Sequence, residues 1–291
     1  MRRINMNKSP LVSVNIRTYN SAKTIRETLE SVKKQTYFNI EILVSDGFSR
    51  DETLSIAKSY GVKINYADKL GDARYENYKR SKGKYLLSLD SDQVLDPNLI
   101  EVCVRLCEVK NLDALTISEK SLIGKGTFLE KLISFDKLII DKSRDDDLVF
   151  GTACPRFFRK DILRKVNWRK QLAIFDDTIL YSELLKKGAS VKYISSSSIR
   201  HHEVESWIVL CKKFFRYGKG YFEALKNEPG TIMAHSLPRR SYFTKIALAR
   251  PIYFLGLLFL YLVKAFAASV GVLAYFTTSL FSSKISSSET N

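Results

Sequence analysis

No Cys or His pair in this sequence lies at zinc-finger spacing to match Cys103 and Cys107, which sit four apart. No GxGxxG follows the first strand-like run, and no GxxxxGK[ST] occurs anywhere. A structural zinc module, a dinucleotide fingerprint and a P-loop are therefore disfavoured. The four cysteines, Cys103, Cys107, Cys154 and Cys211, read as small buried hydrophobes in a reducing compartment rather than as a disulfide framework. Behind the basic start MRRINMNKSP no apolar run is long enough for a secretory signal, so the body of the chain is expected in the cytoplasm. Acidic charge is short as well. Thirty-one Asp and Glu face 47 Lys and Arg, a net charge of +16. Such an excess points to an anionic partner: nucleic acid, an anionic membrane surface or a phosphorylated substrate.

What is present is an alternation. LVSVNIR, IEILVSDG, VKINYA and YLLSLD are short strand-like runs. SAKTIRETLESVKKQ, DETLSIAKSYG and GDARYENYKRSKG between them have helical spacing, the last two stopped by Gly61 and Gly83. This order predicts an α/β fold, a mostly parallel sheet flanked by helices. Ligands of such sheets lie at the carboxyl ends of the strands. The middle of the chain, roughly 112–198, is less regular. Its segment AIFDDTILYSELLKKGASVKYI reads as a loop ending in Asp176-Asp177, a helix to Gly188 and a strand.

The strand ends carry the chemistry. Asp46 closes the second strand, and Asp90 and Asp92 close the fourth, so all three converge on one crevice. Two carboxylates one residue apart suit a hard divalent cation, Mg²⁺ or Mn²⁺, which takes oxygen ligands and bridges to substrate phosphates. Asp-Ser-Asp is equally a good turn sequence.

Several segments in order resemble the inverting glycosyltransferases of family 2, which have the GT-A fold and include dolichol-phosphate-sugar synthases and cellulose-synthase-like enzymes. VSVNIRTYN resembles the opening strand and its turn, with Arg17 where proline is usual. EILVSDGFSRDETL, GDARYENYKRSKGKYLLSLDSD, FDDTILYSELLKKGASVKYI and IRHHEVESWIVLCKKFFRYGKG resemble later motifs, with Asp176 replacing a glutamate. The resemblance covers most of Leu11 to Ala224. It implies a mixed, Rossmann-like sheet and a nucleotide-diphosphate sugar donor. It implies that Thr18, Tyr19, Asn20, Asp46, Arg74, Asp90 and Ser91 hold the nucleotide. Asp90, Asp92 and His201 would hold the metal, and Asp177 would be the general base. Asp176, His202, Lys212, Lys213 and Arg216 would meet acceptor or phosphate. The histidines also read as packed strand-end residues, and the cations as a helix face meeting lipid headgroups. Asp145, Asp146 and Asp147 read as a solvated loop, and Phe157 and Phe158 as core.

The end of the chain changes character. From Pro251 to Ser283 the only charge is Lys264, and Arg239, Arg240, Lys245 and Arg250 precede the run. About 20 apolar residues suffice to span a bilayer. A helix crossing the membrane and a hairpin broken near Gly271 and lying in the interface are both open, with the hairpin favoured because it spares Lys264. The expected organisation is a catalytic domain over 1–225, a basic juxtamembrane segment over 226–250, a hydrophobic membrane-associating helical segment over 251–283 and a polar tail over 284–291. The expected function is a membrane-associated glycosyltransferase on the cytoplasmic face with a lipid-linked acceptor, a polyprenyl phosphate or lipid-linked glycan. Nucleic acid is not an expected partner. A sugar nucleotidyltransferase and a non-catalytic nucleotide-binding membrane module are the alternatives.

Overall fold

The computed structural model describes residues 9–142, 154–236 and 245–288, with side chains for all of these except 234–236 and 278–288. Asp145, Asp146, Asp147, Arg239 and Arg240 lie outside the described residues. Two compact units emerge: Met1–Leu122 with Ile140–His202, and Ile123–Ile139 with Glu203–Asn291. They are interleaved along the chain.

The first unit is built on an eight-stranded mixed sheet in the order β3-β2-β1-β4-β7-β6-β8-β5. Its parallel half comprises β1 (Val12–Thr18), β2 (Ile40–Asp46), β3 (Lys63–Tyr66) and β4 (Tyr85–Asp90), linked by helices α1 (Ile25–Lys33), α2 (Thr53–Ser59) and α3 (Leu70–Arg80). All seven residues of β1 are buried, as a central strand covered on both faces requires. The pleat sends alternate residues of β4 to opposite faces. Tyr85, Leu87 and Leu89 join one apolar cluster with Val14, Ile16 and Leu29. Leu86 joins another with Phe158, Leu163 and Leu184. Each such fully buried aliphatic side chain contributes about 1.5–3 kcal/mol. Phe157 and Phe158 are core, as expected. Cys103 and Cys107 on α4 (Leu99–Lys110) are buried, and burial pushes the Cys107 thiol up to about 12.

The other half of the sheet re-aims the chain. β5 (Gln93–Leu95) leaves the end of β4 and pairs antiparallel with the long β8 (Val191–His202). β6 (Ala114–Leu122) and β8 run parallel, with a register shift between Ile117 and Ser118. β7 (Phe157–Arg159) is antiparallel to both β4 and β6. The short α6 (Lys160–Leu163) follows β7, and α7 (Asp176–Lys186) precedes β8.

The second unit is helical. It holds most of α5 (Phe128–Lys142), α8 (Trp207–Asn227), α9 (Pro229–Ser236), α10 (Lys245–Leu248) and α11 (Pro251–Ser288). Leu129, Leu132, Phe135, Leu210, Leu257 and Leu260 form its core. α11 is one continuous helix through Gly271, so the expected hairpin does not form.

Candidate active site

Register sets the centre of the crevice. In the parallel pairing of β1 with β4, Arg17 lies opposite Asp90, and in that of β1 with β2, Thr18 lies opposite Asp46. The Arg17 side chain is only 8% exposed. Its Nη2 donates to Asp90 Oδ1 at 2.5 Å, and its Nη1 reaches Asp176 Oδ2 at 3.4 Å. From α3, Arg74 donates Nε to the same Asp176 oxygen at 2.7 Å and Nη1 to Ser88 Oγ at 2.8 Å. Arg156 donates Nη1 to Asp90 Oδ2 at 3.2 Å, while its Nε and Nη2 hold Glu119 Oε1. Both oxygens of Asp90 are therefore held by guanidinium groups.

These cations decide the protonation states. Burial alone would raise the Asp90 carboxyl, but Arg17, Arg156 and Arg74 hold it far below the usual carboxylate range. Burial likewise raises Asp177, and Arg74, Arg156 and Arg17 outweigh it, so its pKa is lowered. Asp177, in the first turn of α7, is thus ionised at neutral pH. Its Oδ1 accepts from the Thr178 backbone N–H at 2.8 Å. Asp176 is buried, and its Oδ2 is engaged by both Arg74 and Arg17.

A second cluster lies just beyond the end of β4. The β5–β8 pairing sets Gln93 opposite His201 and brings His201 Nε2 to 3.5 Å from Asp92 Oδ2. Asp92 Oδ1 is buried with no hydrogen-bond partner. Such an orphaned carboxylate oxygen is costly unless something fills its place. A carboxylate and an imidazole, joined by phosphate and water oxygens, fit a divalent cation of the Mg²⁺ or Mn²⁺ kind. Among the described residues no three His, Cys, Asp or Glu side chains converge on one point. Asp90, engaged by arginines, does not join Asp92 and His201. His202 is drawn elsewhere: its Nε2 lies 2.8 Å from Glu27 Oε2 of α1.

The outer rim is aromatic. Asp46 is fully buried, and its two oxygens accept from Ser49 N–H at 2.8 Å and Ser49 Oγ at 2.6 Å. Phe48 adopts φ +63°, strained for a bulky side chain. It is 58% exposed and stacks on Tyr66 at 5.6 Å between centroids. Tyr66 ends β3 opposite Asp46. Tyr19 is also 58% exposed and packs on Gly47, where an added Cβ would lie 3.3 Å from its ring. Thr18 is buried with its Oγ1 unpartnered. Asn20 and Ser91 serve the loops: Asn20 Oδ1 accepts from Arg50 N–H at 2.9 Å, and Ser91 Oγ donates to Ser21 Oγ at 2.7 Å.

Arg156, Glu119, Phe48 and Tyr66 were not singled out from sequence. Arg17 was noticed only as a departure from proline. Its signal was a cation within a strand read as part of the sheet, which demands a buried partner. Lys212, Lys213 and Arg216 belong to the second unit. There they line a groove on α8 together with Phe215 of the same helix and Phe266 and Val270 of α11.

The profile of Glycosyl transferase family 2 matches residues 13–166. An uncharacterized glycosyltransferase of Rickettsia prowazekii is 30% identical over 220 residues, 74% of this chain and 62% of that protein. A UDP-Glc:alpha-D-GlcNAc-diphosphoundecaprenol beta-1,3-glucosyltransferase of Escherichia coli is 31% identical over 140 residues, 44% of this chain and 55% of that protein. The chain thus spans about three fifths of the length of these relatives. A mannosyltransferase of Pyrobaculum calidifontis, solved in complex with GDP-Man and Mn²⁺, has the same fold. Its TM-score is 0.59 over 97% of this chain and 81% of that one, at 14% identity.

Proposed function

The chain belongs to glycosyl transferase family 2, and from that premise we propose that it moves a sugar from a nucleotide-diphosphate donor to a lipid-linked acceptor at the cytoplasmic face of a membrane. The observation that carries the reading is the partnerless, buried Asp92 Oδ1 beside His201 at the end of a parallel strand. Asp92 and His201 would hold Mg²⁺ or Mn²⁺. When bound, such an ion offsets the negative charge that grows on the departing diphosphate. Tyr19, Phe48 and Tyr66 offer faces for the nucleobase, with Thr18, Asn20 and Ser91 on the same rim. Asp46 reaches a base only if Ser49 releases one of its oxygens. Asp90 acts as a fixed carboxylate toward the ribose, aimed by Arg17 and Arg156. Arg74 orients Asp176, and through it the start of α7.

Asp177 works on the acceptor. Its ionised carboxylate takes the proton of an attacking hydroxyl, or orients an acceptor phosphate that is already deprotonated. The acceptor oxygen bonds to the anomeric carbon as the bond to the diphosphate breaks on the opposite side, which inverts the configuration. The Escherichia coli relative is named for a diphosphoundecaprenol-linked substrate, and the 27-residue apolar run Pro251–Thr277 supports the same class of acceptor. The nucleotidyltransferase alternative gains nothing from the family match.

Calorimetric titration with UDP and GDP, with and without Mn²⁺, tests the reading. The wild type binds at least one of them in a metal-dependent way. Asp92→Asn folds normally and loses the metal-dependent part. Unchanged metal dependence in that variant removes the metal role. Donor binding without transfer to any polyprenyl phosphate or lipid-linked glycan favours the non-catalytic alternative.

A further inference from the structure

α11 has two unlike faces. Toward the interior of the second unit it buries Leu257, Leu260 and Ala267. On the same side Lys264 Nζ lies 3.5 Å from Asp136 Oδ2 of α5, and Tyr261 Oη donates to that carboxylate at 2.9 Å. The ammonium also lies 4.4 Å from the Tyr261 ring centroid. The mid-helix lysine is thus neutralised within the protein. The other face exposes Leu255, Leu258, Leu262, Phe266, Val270 and Leu273, spaced three and four apart as one stripe.

α8 is locked along α11 by close backbone contact. A Cβ on Gly218 would lie 1.9 Å from the Ala268 carbonyl oxygen, and one on Gly271 2.1 Å from that of Phe215. No side chain separates the two helices there. Ala268 is four residues past Lys264, which is the midpoint of the apolar run Pro251–Thr277, or about 6 Å along the axis. If α11 crossed a bilayer, whose hydrocarbon core is about 30 Å thick, Gly218 would sit near its centre. Arg216 and Lys219 of α8, which runs antiparallel to α11, would be carried into the hydrocarbon with it. Ionisable residues at that depth are expensive unless paired. Lys212 and Arg216 instead line the same groove as Phe266 and Val270. Cations beside an apolar stripe on one surface are the pattern of an element lying in a membrane interface.

We propose that α11 does not span the bilayer but lies in the plane of an anionic phospholipid surface, its stripe inserted and Lys212 and Arg216 on the headgroups, with α8 still docked. Charge complementarity favours lipid over a second copy of the chain, because a symmetric dimer through this stripe would bring like cations together. The inference deepens the membrane reading above and rests on it. Nucleotide binding in lipid-free buffer is measured separately, so loss of the transferase reading and loss of this one are told apart.

Two measurements on the full chain decide it. In flotation with vesicles, the wild type binds those containing anionic phospholipid and is weakened by salt. Lys212→Gln with Arg216→Gln lowers that binding roughly twenty-five-fold, at about fivefold per charge. Leu262→Glu with Phe266→Glu abolishes it while nucleotide binding persists. In inside-out membrane vesicles from an expressing host, a tag placed after Asn291 is digested by protease together with the 1–202 unit. A tag protected while that unit is digested means that the helix spans, and overturns the proposal. A chain that does not float, and is a dimer in buffer that Leu262→Glu makes monomeric, assigns the stripe to self-association and overturns it equally.

Discussion

Arg17 sits where the two carboxylate motifs meet, and its removal has a calculable sign. Arg17→Met keeps the length and apolar stem but leaves Asp90 to Arg156 alone and Asp176 to Arg74 alone. Breaking a buried pair destabilises by about 3 kcal/mol. Asp90 has a folded-state pKa below its unfolded value. Its contribution is therefore complete above the unfolded pKa of about 4 and is lost as pH falls through the folded value. In Arg17→Met the folded pKa rises, and a protonated carboxyl no longer needs the cation. Urea unfolding of the two proteins should differ most at pH 7, and the gap should narrow below about pH 4. A gap independent of pH would mean that Arg17 matters through packing rather than charge. Phe48 is the other instructive residue. It tolerates a left-handed backbone while its ring is mostly exposed, a combination that burial does not explain.

Between elements, the decisive contacts are made by what is missing from a side chain. Gly271 reads in sequence as a place for the last apolar segment to break, because glycine weakens a helix by about 1 kcal/mol. Packing shows the other use of glycine: it lets α11 touch the Phe215 carbonyl of α8. Gly271→Val must force two backbones apart, and overpacking of this kind costs about 3 kcal/mol. Thermal melting should show the loss, with intact nucleotide binding marking the first unit as folded. Gly230→Ala in α9 is the control, since nothing lies within 4 Å of an added Cβ there. It should be neutral or stabilising by up to about 1 kcal/mol. If Gly271→Val melts like the control, the close crossing is not a determinant of stability. A different element contact, β5 against β8, puts His201 beside Asp92 although the two are 109 positions apart in the chain.

For the whole molecule, the last helix is not a detachable tail. Leu257 and Leu260 share a core with Leu129, Leu132 and Phe135 of α5 and Leu210 of α8. Removing 251–291 would strip that core to an open apolar face and leave Asp136 buried without Lys264. The truncated chain should therefore aggregate when expressed without detergent, whereas a simple membrane tether would leave a soluble fragment. Size-exclusion chromatography of the truncation separates the two outcomes: a monodisperse monomer would show that α11 contributes nothing to folding.

The sequence by itself determined the parallel half of the sheet, because β1 to β4 each declare themselves by a short apolar run bounded by turn residues, and their order leaves few topologies open. It also located Asp90, Asp92, Asp176 and Asp177, since carboxylates at strand ends and helix starts have a reason to be there. Local pattern carries no information about which distant groups meet. That Asp90 is clasped by Arg17 and Arg156, that Asp92 keeps the histidine and that Lys264 finds Asp136 depended on register and helix crossing. A buried charge must be paired, but any of many opposite charges could have supplied the partner, and only the packed chain chooses one.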